Sequence, residues 1–341
     1  MKNWGEHKVS PEVSICTITY NHEDYIGDAI EGLLMQKTDF PFEILVDDDC
    51  STDKTREIIA GYAKRYPNII KATMREENIG SMENFFANIA KAKGRYVALC
   101  EGDDFWIDPL KLQKQIEIFR GDDEISLVFD NARIDYYSDN NILERQYNFH
   151  DNIESGYVNP KELHQFKRVT ATAGVVFKNV NVFEFFNVIK DFTRIGDTPT
   201  FTYLAKHGFL YYNKNISSVY RQVPTGTMRQ FRYPVEDALK DIKYYKFLGV
   251  YFSEFGLENP LKYSLVDMYY LTAFGHFGQK KLLGFLEYFI KGIKAKPLYM
   301  SKKVVFQLLK KTRIISSSVS VRKKNNLVVS KNKMNLKIGK G

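Results

Sequence analysis

The sequence predicts an α/β fold: a mostly parallel, Rossmann-like sheet flanked by helices, followed by a helical C-terminal region. Three observations carry that prediction. Short apolar runs rich in β-branched residues recur at residues 13–18, 43–46, 69–73 and 96–100. Stretches with apolar residues at helical spacing separate them. Two of the runs end in acids, Asp47-Asp48-Asp49 and Glu101-Gly102-Asp103-Asp104. Open α/β sheets gather their ligand chemistry at the carboxyl ends of such strands.

The elements follow in order. The run at 13–18 is a buried strand, and Thr19-Tyr20-Asn21-His22 is its strand-to-helix loop. Tyr25, Ile26, Ala29, Ile30, Leu33 and Leu34 then define an amphipathic helix. The strand at 43–46 leads through Ser51-Thr52-Asp53 into a helix over 53–65, with Asp53 as its N-cap. A strand at 69–73, a loop holding Asn78-Ile79-Gly80 and a helix through Phe85, Phe86 and Ile89 bring the chain to Gly94. The run at 96–100 is bounded by Gly94 and Gly102, too short for a helix. Asp108-Pro109 reads as a helix start, with Asp as cap and Pro in the first turn. Helices of this length between strands imply right-handed crossovers and parallel pairing. Beyond residue 120 the signal thins to strands at 126–130, 133–137 and 174–177, then aromatic helices over 235–310.

Two acid clusters about fifty residues apart, both at strand ends, emerge on one edge of a parallel sheet and can face one ligand. Crowded carboxylates repel one another unless a cation sits among them, and hard divalent cations prefer oxygen. The first loop lacks Gly-x-Gly-x-x-Gly, which excludes a dinucleotide-binding dehydrogenase pattern, and no phosphate-cradling glycine loop ending in Lys-Ser/Thr occurs. A nucleotide here would be held by acids and metal.

Composition narrows the classes. The chain has 341 residues, 44% hydrophobic and 26% charged, as in globular proteins generally. Cys16, Cys50 and Cys100 make neither a zinc pattern nor a disulfide framework, which points to a reducing, cytoplasmic setting. Residues 1–11 have no signal-peptide pattern, and no apolar run is long enough to span a bilayer. The formal net charge of +8 conceals an asymmetry: residues 291–341 hold 15 Lys and Arg and no Asp or Glu, leaving 34 basic against 41 acidic residues in 1–290. Such a tail seeks an anionic surface or solubilises the chain.

The motifs Val13-Ser14-Ile15-Cys16-Thr17-Ile18-Thr19-Tyr20-Asn21, Val46-Asp47-Asp48-Asp49-Cys50-Ser51-Thr52-Asp53 and Glu101-Gly102-Asp103-Asp104 together resemble family 2 glycosyltransferases of GT-A fold. The resemblance covers residues 12–120 closely and 170–222 more loosely. It implies an inverting, metal-dependent transferase that moves a sugar from a nucleotide-diphosphate donor, usually UDP-linked, to a glycan or lipid-linked acceptor in surface polysaccharide biosynthesis. Carried over residue by residue, Tyr20 packs on the base with Thr19, Asn21 and Glu23 nearby. Asp49 hydrogen-bonds the uracil ring, and Asn78 approaches the nucleotide. Glu101 and Asp103 stand at the outer positions of the family's Asp-x-Asp motif. Asp103 and Asp104 hold Mn2+ or Mg2+ on the diphosphate. The stretch around Asp197 resembles the family's acid-then-helix element, which makes Asp197 the general base. This sequence departs from the pattern at Asp47 (commonly apolar), Cys50 (often Gly) and Glu101 (more often Asp), and Gln222-Val223-Pro224 lacks the downstream His. Arg221, Arg229 and Arg232 are candidates to meet the diphosphate instead.

The expected organisation is a GT-A catalytic domain over 1–232, a helical region over 233–300 and a basic tail over 301–341. Lys302-Lys303 and Lys310-Lys311-Thr312-Arg313 beside Val304, Val305, Phe306, Leu308 and Leu309 make that tail a candidate for peripheral contact with the inner face of a membrane. Two other readings compete. A nucleotidyltransferase making nucleotide sugars needs a glycine-rich basic loop that residues 19–23 lack. A non-enzymatic protein binding an anionic surface through the tail is disfavoured for nucleic acid by the acidic body.

Overall fold

The computed structural model describes residues 10–138, 141–146, 154–160, 171–191, 196–223, 235–255 and 258–295. The chain divides into two compact units, Met1–Arg232 with Lys240–Lys262, and Tyr233–Leu239 with Tyr263–Gly341. The first unit therefore crosses the boundary expected at 232.

In the first unit, β1 (Val13–Thr19), β2 (Phe42–Asp48), β3 (Ile70–Met74) and β4 (Tyr96–Leu99) pair in parallel in the order β3-β2-β1-β4. α1 (Ile26–Leu34), α2 (Thr55–Arg65) and α3 (Ser81–Ile89) make the crossovers. β5 (Phe105–Trp106) and α4 (Lys111–Gly121) follow. Beyond them the sheet becomes mixed. β6 (Ile125–Ser138) is one continuous strand where two were expected, and β7 (Asn141–Gln146) pairs with it antiparallel. β8 (Gly156–Val158), β9 (Val175–Lys178), α5 (Val182–Ile189), α6 (Asp197–Leu204) and β10 (Phe209–Gln222) complete the ladder, β9 running antiparallel to both β4 and β6. β10 lies parallel to β6 and antiparallel to β5.

Period-two alternation decides which face each strand residue serves. Ile15, Ile44, Val128 and Val176 bury under α1, α2 and α4, through Ile30, Ile59, Leu112 and Ile116. Their neighbours Cys16, Leu45, Leu127 and Phe177 bury on the opposite face under α3, α5 and α6. Tyr244, Leu248 and Phe252, from the later part of α7 (Val235–Tyr251) and the turn after it, join that second core with Phe185. Apolar burial of this kind carries residues 240–262 into the first unit. In the second unit, α8 (Glu258–Gly278) from Tyr263 onward and α9 (Leu282–Ala295) pack through aromatic pairs such as Tyr270 with Phe289 and Phe274 with Phe285. No helix among the described residues is long and apolar enough to cross a membrane. The tail at 301–341 lies outside the described residues.

Candidate functional site

Parallel pairing brings three strand ends to one edge. Thr19 stands opposite Asp48 in register, and the Asp49 N–H donates to the Thr19 carbonyl at 2.9 Å. On the other side of β1 the Gly102 N–H donates to the Ile18 carbonyl at 2.9 Å. The loops after β1, β2 and β4 are thus held side by side.

The acids at the end of β2 do not form a ligand-facing cluster. Asp47 and Asp48 are fully buried and Asp49 is 3% exposed. Asp47 Oδ2 meets Lys91 Nζ at 2.5 Å and Arg75 Nη2 at 3.1 Å, so its buried charge is compensated. Asp48 Oδ2 accepts the Ser51 N–H at 3.0 Å and faces Arg56 at 3.6 Å. Asp49 accepts the Ile79 N–H on Oδ1 at 2.9 Å and the Gly80 N–H on Oδ2 at 3.0 Å. Asn78 donates back to the Asp49 carbonyl at 3.0 Å. Asp49 and Asn78 therefore fix the entry of α3, and what Asp49 retains for a base is the second lone pair on each carboxylate oxygen.

Cys50 follows with φ +65°, the left-handed region that Gly occupies at no cost, and its thiol donates to the Glu76 carbonyl at 3.2 Å. The departure from Gly at this position is therefore strained. Cys50→Gly should leave the denaturation midpoint nearly unchanged, strain relief offsetting the added freedom of the unfolded chain. Cys50→Val, β-branched, should cost about 1–2 kcal/mol in the same urea titration.

The loop after β1 is stapled to the loop after β2. Asn21, itself at φ +54°, accepts the Thr52 N–H on Oδ1 at 2.8 Å and donates its own N–H to Ser51 Oγ at 2.8 Å. Glu23 Oε2 accepts the Lys54 N–H, and Asp53 Oδ2 accepts the Glu23 N–H, both at 3.0 Å. Asn21 and Glu23 hold the two loops together. Thr19 is 3% exposed and pairs with His22 Nδ1 at 3.1 Å. A Cβ added at Gly102 would meet Thr19 Oγ1 at 2.6 Å, so the acid loop rests against Thr19 only because residue 102 is Gly. Tyr20 is different: its ring is 44% exposed, beside loops that are otherwise tied down. An exposed aromatic on a rigid loop is a platform on which a base can stack.

The loop after β4 carries the uncompensated acids. Among the described residues no Lys or Arg side chain forms an ion pair with Glu101, Asp103, Asp104 or Asp197, in contrast to Asp47. Asp104 is fully buried; Oδ1 accepts the Arg221 N–H at 2.8 Å, and Oδ2 is buried with no partner. Glu101 is partly buried and lines a narrow cleft with Ile18, Phe85 and Thr172. Burial first, then the charges of Asp103 and Asp197, push Glu101 up to about 8. Burial, then Asp103 and Glu101, push Asp104 well above the usual carboxylate range. Among the described residues no three His, Cys, Asp or Glu side chains converge to cage a metal. That donor set still fits Mg2+ or Mn2+, which are commonly held by one or two carboxylates plus substrate phosphates rather than by an all-protein cage. An orphaned carboxylate oxygen and mutually repelling acids are what a cation would relieve.

This arrangement has a pH signature. A carboxyl raised above its unfolded value of 4.5 binds more protons folded than unfolded, so stability of the metal-free protein falls as pH rises from there to about 8. Glu101→Gln should flatten much of that fall in thermal denaturation with a chelator present. Added Mn2+ should raise the melting temperature of the unsubstituted protein more near the upper end of this window than the lower.

Asp197 is the first residue of α6, one position inside the helix; its Oδ1 accepts the Thr198 N–H at 2.6 Å. Burial raises its pKa, with the Thr198 hydrogen bonds opposing. Its charge acts on Glu101, which brings together two acids far apart in sequence.

Other residues around these loops have structural roles. Arg221 does not open toward a diphosphate. It is 4% exposed, donates to Asp28 and to the Asp103 carbonyl (3.3 Å), and packs 4.2 Å from the centre of the Phe105 ring. It clamps the acid loop to α1, a role with no signal in the sequence. Arg229 and Arg232 lie outside the described residues. Asn84 is buried, accepting from Arg75 Nε at 2.7 Å. Trp106 is packed, donating to the Ala173 carbonyl at 2.8 Å. Asp53 is not the cap of α2, which is Lys54; it stands one residue earlier and accepts the Thr55 N–H at 3.0 Å. Asp108 accepts the Leu110 N–H at 2.9 Å, and α4 begins only after that turn.

Residues 14–179 match the family model described as Glycosyl transferase family 2. An uncharacterized protein of Mycobacterium tuberculosis is 45% identical over 124 residues, 36% of this chain and 36% of that one. A Bacillus subtilis protein named for teichuronic acid biosynthesis, glycosyltransferase TuaG, is 39% identical over 117 residues, 34% of this chain and 43% of its own length. The matched region thus spans less than half of these relatives. The S. aureus TarS fragment 1–349, in complex with UDP-GlcNAc, shares the fold with a TM-score of 0.59 at 16% identity, covering 89% of this chain and 88% of that one.

Proposed function

The chain belongs to glycosyl transferase family 2 through residues 14–179, and from that premise we propose that it transfers a sugar from a nucleotide-diphosphate donor to a glycan or lipid-linked acceptor in surface polysaccharide biosynthesis. The single observation that carries the reading is the uncompensated acid loop, Glu101 with Asp103 and Asp104, aligned at one sheet edge with the exposed ring of Tyr20. The UDP-GlcNAc bound by TarS and the biosynthetic name of TuaG agree with it.

In this reading Tyr20 stacks on the base, with the retained lone pairs of Asp49 beside it. Asn21, Glu23 and Thr19 hold the β1 loop in place. Asp103, with Glu101 and the orphaned oxygen of Asp104, would hold Mn2+ or Mg2+. Bound there, such an ion supplies Lewis-acid neutralisation of the departing diphosphate. Asp197 takes the proton from the attacking acceptor hydroxyl, its raised pKa suiting it to accept one. Attack opposite the leaving group inverts the anomeric centre.

A panel of UDP-, GDP-, ADP- and dTDP-sugars, each with and without Mn2+ or Mg2+, tests the reading by thermal shift. Ligands that bind only the folded state raise the melting temperature. One nucleotide class should stabilise the protein in a metal-dependent way; stabilisation by none of them would refute the assignment.

A further inference from the structure

Helix α9 presents two different apolar faces. Gly284, Phe285, Tyr288, Phe289 and Gly292 turn toward α8: a Cβ added at Gly292 would meet the Tyr270 ring at 2.9 Å, and Tyr288 stacks on His276. That face is fully accounted for by packing within the second unit. The other is not. Leu282, Leu283, Leu286, Ile290 and Ile293 are 63%, 85%, 43%, 47% and 42% exposed. At the helical repeat they fall within an arc of about 100°, a continuous stripe. Scattered exposed leucines need no explanation, but a contiguous stripe of this kind marks an interaction surface.

Charge identifies the partner. Lys294 borders the stripe on its polar side, Lys291 lies further round that side, and Lys280 and Lys281 stand in the turn just before the helix. Glu287, the one acid on α9, is ion-paired to Lys291. It is also the last acid in the chain, since residues 288–341 contain no Asp or Glu while 291–341 contain 15 Lys and Arg. An apolar stripe edged by lysines, its one neighbouring acid already ion-paired, is complementary to an interface that is apolar below and negative above. α9 has 14 residues, short of the roughly 20 needed to cross a bilayer. We propose that α9 docks flat on an anionic lipid surface, its outer stripe entering the headgroup region and its lysines meeting the lipid phosphates. The assignment is independent of the sugar-transfer reading and differs from the tail at 302–313 in resting on a described, solvent-facing helix.

Flotation of the full chain with vesicles tests it. The unsubstituted protein should float with phosphatidylglycerol/phosphatidylcholine vesicles, weakly with phosphatidylcholine alone, and less as salt rises. Leu283→Ser with Ile290→Ser should lower vesicle affinity by about tenfold or more, since each removes a leucine-sized apolar anchor. The melting temperature should not change, because both side chains face solvent. Lys281→Gln with Lys294→Gln should weaken binding to the anionic vesicles and leave the weak zwitterionic binding unaltered. Equal flotation of unsubstituted and stripe-substituted proteins would overturn the proposal, as would no flotation of the unsubstituted chain. So would a stripe substitution whose sole effect, by light scattering, is to dissociate an oligomer, which would make a second copy the occupant.

Discussion

Asp103→Asn should lower metal-dependent turnover of the nucleotide-sugar donor by on the order of a thousandfold. The effect is large because, among the described residues, no Lys or Arg forms an ion pair with a carboxylate of this loop; the buried Arg221 guanidinium meets only the Asp103 carbonyl there. Removing its charge leaves the diphosphate facing the partly buried Glu101 and a single orphaned oxygen of Asp104. Substituting Asp47 gives the contrasting result. Its carboxylate is already matched by Lys91 and Arg75, so Asp47→Asn should act on stability and leave metal dependence intact. Initial rates across a Mn2+ titration separate the two, with circular dichroism confirming that Asp103→Asn is folded. Unchanged turnover in Asp103→Asn would remove the metal from this loop.

Asp197→Asn should lower transfer by about 10²- to 10⁴-fold, the range a positioned general base supplies, while donor binding persists. The carboxylate sits at the first position of α6, and its influence on Glu101 places it within electrostatic reach of the acid loop. Asn keeps the size and can still accept the Thr198 N–H, so the helix start should survive. The measurement is a split: kcat falls, and the dissociation constant of the donor nucleotide stays within about twofold. Equal loss of both would make Asp197 a structural part of the donor site. Transfer at the unsubstituted rate would move the base elsewhere, with Asp191 and Glu184 the nearest acids in sequence.

Local patterns were legible where burial alone decides the structure. β1 to β4 and the three intervening helices follow from apolar runs and helical spacing, because β1, β2 and β4 are buried on both faces and the edge strand β3 is anchored through Ile70. The fates of the acids were not legible. Asp47, Asp48 and Asp49 are identical letters in a row, yet one is neutralised by residues 28 and 44 positions away, one caps a turn and one fixes the entry of α3. Those partners are long-range, and no local period announces them. Arg221 shows the same limit: in sequence it is a cation available to a diphosphate, and in the fold it is buried between Asp28 and the acid loop. The mixed half of the sheet escaped because β6 and β10 pair in parallel across about eighty residues, a non-local choice. Residues 240–262 joined the first unit through Tyr244, Leu248 and Phe252, whose aromatic spacing is equally compatible with self-packing.

The proposed function requires the acid loop to take a nucleotide diphosphate through a divalent cation. Calorimetric titration of UDP into the full chain, first with chelator and then with saturating Mn2+, tests it most directly. Mn2+ should tighten UDP binding by at least about tenfold in the unsubstituted protein and have no effect in Asp103→Asn. UDP binding of equal strength with and without metal, or a metal effect that survives in Asp103→Asn, would contradict it.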